Sequence, residues 1–300
     1  MPIPEIVVVY NPAARSAERA RLDRLLKKHF SGHQVKLIEA RGHRAAIARL
    51  RPLLSQGIAL VIAAGGDGTV SDVASALTYS QTPMGILPLG TGNVVARGLD
   101  IPTNLDRAAK ILAAGAYRLR ELDVMRVGKR SFVLAVSVGF SAITMKKTSR
   151  RDKRRFGPMA YWWTGIHSLF GLSQRNFLVE VDGETSSHRA SEVLVANLGI
   201  IGTKALRWDL DVFPDDGRIE IYFVAARSMW DFARVLGSLL TRNSHREKRV
   251  QRLTATQRIV IRSPKRMQVQ GDGDGIGRTP VEIELLPASL KVAVPRNGLA

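Results

Sequence analysis

The stretch Ala63-Ala64-Gly65-Gly66-Asp67-Gly68-Thr69-Val70-Ser71-Asp72-Val73 decides how this chain folds. An apolar run, Ile58–Ala63, ends on two glycines. A carboxylate, a third glycine and a hydroxyl follow, and Ser71–Leu77 then reads as a helix. A short continuous apolar run is the signature of a strand buried on both faces. Strand, glycine turn and helix together open a βα unit, and in open α/β sheets ligands lie beyond the carboxyl ends of the strands. Glycine permits positive φ and lets backbone N–H groups come close to an anion. Asp67 can hold Mg²⁺ directly or through water, and Thr69 can donate to a phosphate oxygen. The same residues also suit a plain strand-to-helix turn with a capping Asp or Thr.

Working outward, the first third keeps this alternation. Ile6–Tyr10 reads as a first strand, and Ser16 caps a helix through Phe30 with Leu22, Leu25, Leu26 and Phe30 on one face. Val35–Ile38 and Met84–Leu87 read as strands, and His43–Leu54 and Leu105–Ala114 as helices. The order predicts a three-layer α/β domain with a mainly parallel sheet, over residues 1–125. Two further loops fall at strand ends: Asn11-Pro12-Ala13-Ala14-Arg15 and Pro88-Leu89-Gly90-Thr91-Gly92-Asn93. Three polar, glycine- or proline-bearing loops on one sheet edge make a nucleotide site the natural reading.

After about residue 116 the rhythm changes to short strands between turn signals. Tyr117–Val127 and Ser131–Val138 flank Gly128-Lys129, and Phe177–Val181 and Val193–Asn197 flank Asp182-Gly183. Ile219–Val224, Arg258–Ile261, Met267–Gln270 and Val281–Leu285 add strands. These predict an antiparallel β domain over 126–287 with helical inserts at about 156–172 and 228–243.

The chain has 300 residues and no cysteine, which excludes disulfides, thiolate metal sites and a cysteine nucleophile. Lys and Arg exceed Asp and Glu by 45 to 26, a net charge of +19, so polyanions are the expected partners. No apolar run reaches the roughly 18–20 residues of a membrane span, and the N-terminal apolar run is short and lacks a basic flank. The expected location is therefore cytoplasmic, with any membrane association peripheral.

The set of motifs resembles the diacylglycerol kinase catalytic family, in particular the bacterial soluble lipid kinases of the YegS and DgkB type, related to sphingosine and ceramide kinases. The resemblance rests on Asn11-Pro12, GGDGT at 65–69, PLGTGN at 88–93 with Ala96-Arg97 behind it, and Leu122-Asp123. It continues through Asp216-Gly217, Gln270-Gly271-Asp272-Gly273-Asp274, and Leu286-Pro287-Ala288-Ser289-Leu290 to Pro295. It implies an ATP-binding α/β domain completed by residues 288–300, a β-sandwich lipid-substrate domain, and transfer of the ATP γ-phosphoryl group to a lipid hydroxyl. It implies nucleotide contacts from Asn11, Pro12, Ala13, Ala14 and Arg15, from Gly65 through Gly66, Asp67, Gly68, Thr69, Val70 and Ser71 to Asp72, and from Gly90, Thr91, Gly92 and Asn93. Asp67 would belong to a carboxylate–water–Mg²⁺ network reaching Asp123, Asp274 would be the general base, and Asp216 with the carbonyls of Phe213 and Arg218 would hold a structural Mg²⁺. The chain departs from the family pattern at Ala14-Arg15, at Val94 and at residues 38–41. Two alternatives follow: a soluble small-molecule kinase of the NAD-kinase kind, and a catalytically weak nucleotide- or lipid-binding protein that retains the fold.

Residues 146–155, KKTSRRDKRR, carry seven basic side chains against one aspartate, and Tyr161-Trp162-Trp163 follow. A polybasic run beside an aromatic, apolar helix suits an anionic membrane surface. Nucleic acid is not expected, because the aromatics cluster in one segment instead of spreading over a strand-rich platform. A sandwich of this kind can also pair across an edge strand to give a homodimer.

Overall fold

The computed structural model describes residues 5–11, 16–139, 173–201, 203–207, 212–228, 230–231, 234–235, 238 and 249–296. The chain divides into two units. The first is built from residues up to Val133 and from Leu286 onward, with Gly202–Lys204; the second holds Leu134–Ile201 and Ala205–Leu285.

In the first unit the elements run β1 (Glu5–Tyr10), α1 (Ser16–His29), β2 (Gln34–Glu39), α2 (His43–Leu54), β3 (Leu60–Gly65), α3 (Asp67–Leu77) and β4 (Met84–Pro88). Then come α4 (Val94–Gly98), α5 (Leu105–Ala113), β5 (Tyr117–Val127) and β6 (Arg130–Phe132). Strands pair in the order β2-β1-β3-β4, all parallel, as their buried apolar runs require. Side chains alternate across a strand. Ile6, Val8 and Tyr10 of β1, with Leu60, Ile62 and Ala64 of β3, pack on Leu22 and Leu25 of α1, on Phe30 just after it, and on Leu105, Ala108 and Leu112 of α5. The pair α2 and α3 make a separate layer with each other. Lys28 Nζ (2.7 Å) and His29 Nε2 (2.9 Å) converge on Asp106 Oδ1, joining α1 to α5 and pulling that carboxyl down to about 2.

The second unit contributes β7 (Ala135–Gly139), β8 (Arg175–Val181), β9 (Glu184–Ala190), β10 (Glu192–Ala196), β11 (Ile200–Ile201), the part of β12 (Thr203–Arg207) from Ala205 onward, and β13 (Ile219–Val224). It goes on with β14 (Val250–Ala255), β15 (Arg258–Arg262), β16 (Gln268–Gly271) and β17 (Asp274–Arg278), and β18 (Val281–Pro295) ends the series. One antiparallel sheet has the order β14-β13-β10-β7-β16-β17; in the other, the first part of β18 pairs with β15, then β8, then β9. His188 of β9 and Phe223 of β13 stack with ring centroids 3.9 Å apart, a contact from one sheet to the other. The later part of β18 returns to the first unit, where Val292 pairs with Met84 in parallel. The architecture is the predicted one: a three-layer α/β unit and an antiparallel sandwich.

Several local expectations change. Helix α3 starts at Asp67, four residues before the expected Ser71, because the N–H groups of Thr69 and Val70 both reach the Gly66 carbonyl (2.9 and 3.1 Å). The strand expected over Ser131–Val138 splits at Val133-Leu134 into β6 and β7, which belong to different sheets. The Asp182-Gly183 turn joins β8 to β9 rather than to the strand at Val193. That polar edge strand, ETSSHRA, lacks the apolar alternation that betrays a strand in sequence. The insert expected at 156–172 lies outside the described residues. Of the one expected at 228–243, residue 228 is a bend and the other described residues, 230–231, 234–235 and 238, are helical.

The Asp182 turn has a structural task. Its carboxylate accepts from Thr256 N (2.7 Å), Thr256 Oγ1 (2.8 Å), Gln257 N (2.9 Å) and Arg258 N (2.8 Å), tying the hairpin to the loop before β15. Burial pushes this carboxyl up, but the four donors outweigh it and its pKa lies below the ordinary value. A depressed carboxylate stabilises the fold fully above its unfolded pKa of about 3.9. That contribution disappears as pH falls through the lowered folded value. Asp182→Ala is therefore expected to cost about 1–2 kcal/mol at pH 7 after solvent screening. The gap from the parent should narrow as pH falls from the ordinary carboxylate range through the lowered folded value. Urea unfolding at neutral and at acid pH checks both the size and the sign.

Candidate active site

The carboxyl ends of β3 and β4 lie side by side, with Gly65 opposite Pro88 and Leu89 N donating to Gly65 O at 3.0 Å. The two glycine loops therefore start in contact. A Cβ on Gly90 would sit 2.5 Å from the Gly66 Cα, so the backbones touch where side chains would stand. Asn93 holds the second loop closed from a left-handed conformation, φ 47°. Its Oδ1 accepts from Gly90 N (3.0 Å), and its Nδ2 donates to Pro88 O (3.2 Å) and Gly90 O (2.6 Å). Asparagine suits the position because its short amide tolerates that backbone and bonds locally.

Asp67 occupies the first turn of α3, where the helix dipole favours a negative charge. Its Oδ1 accepts from Val95 N at 2.9 Å, linking the two loops again. Burial raises its pKa above the ordinary carboxylate value, against the opposing pull of the Val95 and Val94 N–H groups, its own N–H and Arg97. Gly92 keeps the space beside it open, since a Cβ there would lie 3.1 Å from Asp67 Oδ2.

A cavity of about 230 Å³ opens over these strand ends. Gly65, Gly66, Thr69 and Gly90 line it from the ends of β3 and β4, Tyr10 and Asn11 from the end of β1 and Arg19 and Leu22 from α1, and Ala64 and Leu89 complete the wall. The structure thus brings Asn11, Gly65, Gly66, Thr69 and Gly90 of the expected contacts to one cavity. Val70, Ser71 and Asp72 are buried in α3, and Ser71 Oγ donates back to Asp67 O at 3.0 Å, so they hold the helix in place. Thr91 and Gly92 are exposed at the loop tip. Pro12, Ala13, Ala14 and Arg15 lie outside the described residues. Sequence reading missed Tyr10 and Arg19: the tyrosine hides at the end of an apolar run, and the arginine on a helix rich in basic residues. Arg19 Cζ lies 4.4 Å from the Tyr10 ring centroid.

Asp123 is buried, 2% exposed, and its Oδ1 accepts from Ala288 N at 2.8 Å. It fastens β5 to the returning strand β18 at a residue with φ 46°. In the second unit, β16 and β17 form a hairpin whose corner, Asp272-Gly273, has φ of 46° and 87°. Asp272 is buried, and its Oδ1 accepts from Leu134 N (3.0 Å) and Ala135 N (2.9 Å). Asp274, one step beyond the corner, is exposed. The two carboxylates of the DGD segment are thus different in kind, one an internal staple and the other turned to solvent.

Asp216 closes its own turn, with Arg218 N donating to its Oδ1 at 3.0 Å, and both it and Phe213 are exposed. One carboxylate with neighbouring backbone carbonyls fits a largely hydrated Mg²⁺, which keeps several waters. Among the described residues no group of three or more His, Asp or Glu side chains is placed to hold a metal ion.

The sequence matches the diacylglycerol kinase catalytic domain family over residues 5–127 and the YegS C-terminal NAD kinase β-sandwich-like domain family over residues 134–294. The chain belongs to the YegS/DgkB-type diacylglycerol kinase family. Its enzyme class is accordingly that of a lipid kinase. Among curated relatives it is 26% identical over 310 residues to a diacylglycerol kinase of Mycobacterium tuberculosis, covering 99% of this chain and 97% of the relative. It is 24% identical over 296 residues to a diacylglycerol kinase of Staphylococcus saprophyticus, covering 97% and 95%. A crystal structure of a diacylglycerol kinase from Bacillus anthracis superposes with a TM-score of 0.77 at 22% identity, covering 99% of this chain and 98% of that one. At that identity the superposition supports the fold. Among the described residues no helix is long and apolar enough to cross a membrane.

Proposed function

We propose that this family member transfers the γ-phosphoryl group of ATP, with Mg²⁺, to the hydroxyl of a diacylglycerol-like lipid. The observation that carries the reading is the cavity whose one end is made of two abutting glycine loops at the carboxyl ends of β3 and β4. Backbone N–H groups and a helix N-terminus there suit a phosphate chain. Thr69 supplies a hydroxyl to a phosphate oxygen and Asp67 a carboxylate toward the metal, which when bound neutralises charge on the transferring phosphoryl group. Asp274 takes the lipid hydroxyl proton as general base. Asp216 with the Phe213 and Arg218 carbonyls holds a second, structural Mg²⁺. The polybasic segment 146–155 and the aromatics at 161–163, outside the described residues, bring the enzyme to an anionic bilayer at about 1 kcal/mol per basic side chain.

The test is label transfer from γ-labelled ATP, with Mg²⁺, to diacylglycerol in mixed micelles and to a total lipid extract, with NAD as a competing acceptor. A labelled lipid is expected from the wild type, and Asp67→Asn is expected to reduce it at least about a hundredfold. The same variant is expected to melt no lower than the parent at pH 7. A carboxyl whose folded pKa is raised costs stability as pH climbs through the carboxylate range, and the amide removes that cost. Label on NAD, or on no lipid at all, would overturn the proposal.

A further inference from the structure

The end of the cavity away from the glycine loops holds a small, ordered network. Arg19 and Leu22 lie three residues apart on α1 and so share a face. The Arg19 guanidinium sits over the Tyr10 ring, Cζ to centroid 4.4 Å. Its Nε donates to both carboxylate oxygens of Asp23 at 3.0 Å, and its Nη1 lies 3.9 Å from Glu39 Oε1. Glu39, at the end of β2, also accepts a hydrogen bond from the Tyr10 hydroxyl. The Asp23 carboxylate and the Tyr10 ring hold the guanidinium, with the Glu39 carboxylate close to one Nη. The side chain nonetheless remains 38% exposed, which leaves it a surface to offer the cavity it lines.

The charges decide what that surface suits. One guanidinium against the carboxylates of Asp23 and Glu39 makes a group of net charge −1, which does not attract phosphate. A planar, weakly hydrated guanidinium does stack on aromatic faces. Leu22 and Leu89 add apolar wall to the same cavity. We infer that Arg19 is the base-stacking platform of the nucleotide site: it recognises the π face of the nucleobase, not the phosphate chain. Asp23, Glu39 and Tyr10 are its positioning residues. This rests on the proposed nucleotide reading and assigns the end of the cavity that the phosphate loops leave over.

The experiment is calorimetric binding of ATP and of inorganic tripolyphosphate, each with Mg²⁺, to the wild-type chain and to Arg19→Ala, Arg19→Lys and Glu39→Gln. Both Arg19 variants are expected to weaken ATP about tenfold, because lysine keeps the charge but not the plane. Tripolyphosphate should bind all of them within about twofold of the wild type. Glu39→Gln, which releases the guanidinium, should fall between. Wild-type ATP affinity in Arg19→Lys would overturn the inference, as would a parallel loss of tripolyphosphate. Should Arg19→Ala fail to fold, Arg19→Lys, which can still pair with Asp23 and Glu39, carries the test. A wild type that binds no ATP overturns the nucleotide reading and this inference with it; one that binds ATP with all variants unchanged overturns this inference alone.

Discussion

Asp274→Asn is expected to lower kcat for lipid phosphorylation by about 10²–10⁴-fold, the range for loss of a positioned general base, with little change in the KM for ATP. The neighbouring carboxylate supplies the control. Asp272 is buried and accepts two backbone N–H groups from the start of β7, whereas Asp274 is exposed at the start of β17. Asp272→Ala would leave those donors buried without their acceptor, at a cost of about 1–3 kcal/mol. Its melting temperature should drop, and that of Asp274→Asn should not. Steady-state kinetics beside thermal unfolding separates the two effects. Activity within about threefold of the parent in a folded Asp274→Asn enzyme would place the base elsewhere.

Gly90→Ala is expected to be a severely damaging single methyl group in the nucleotide loops. Its Cβ would stand 2.5 Å from the Gly66 Cα and 3.1 Å from the Gly66 N, and backbone cannot rotate away as a side chain can. The loops must part, at an overpacking cost of about 1–3 kcal/mol. Parting them strains the Leu89 N to Gly65 O bond and the Asn93 clasp, which define the phosphate end of the cavity. Gly66→Ala meets its nearest neighbour, Gly90 Cα, at 3.3 Å and should be the milder change. Calorimetry with ATP should rank affinity as wild type, then Gly66→Ala, then Gly90→Ala, with melting temperatures in the same order. Equal affinity in all three proteins would remove the glycine contact from the binding site.

Much of this was legible in the chain before any coordinates. The runs Ile6–Tyr10, Ile58–Ala63 and Met84–Leu87 announced buried parallel strands, and the glycines after them announced loops at strand ends. Asp123 and Asp72 looked like members of a polar site from their motif positions. What their motif positions do not show is that both are buried, with Asp123 accepting from the Ala288 N–H and Asp72 inside α3. A carboxylate looks the same in sequence whether it faces a ligand or a backbone amide. The partner of Asp123 is 165 positions away, and those of Asp182 are 74 to 76 away.

By itself the sequence determined the two architectures, the strand-end glycine loops and the family, because hydrophobic period, turn chemistry and motif order are local properties of the chain. Tertiary structure alone decided which glycines must stay bare, which carboxylate of DGD is a staple, that Asp182 clamps a distant loop, and that Arg19 lies over the Tyr10 ring. Each of these depends on two segments meeting in space. Packing and hydrogen bonding act on distances between atoms, and distances between residues far apart along the chain are not written in any one stretch of it.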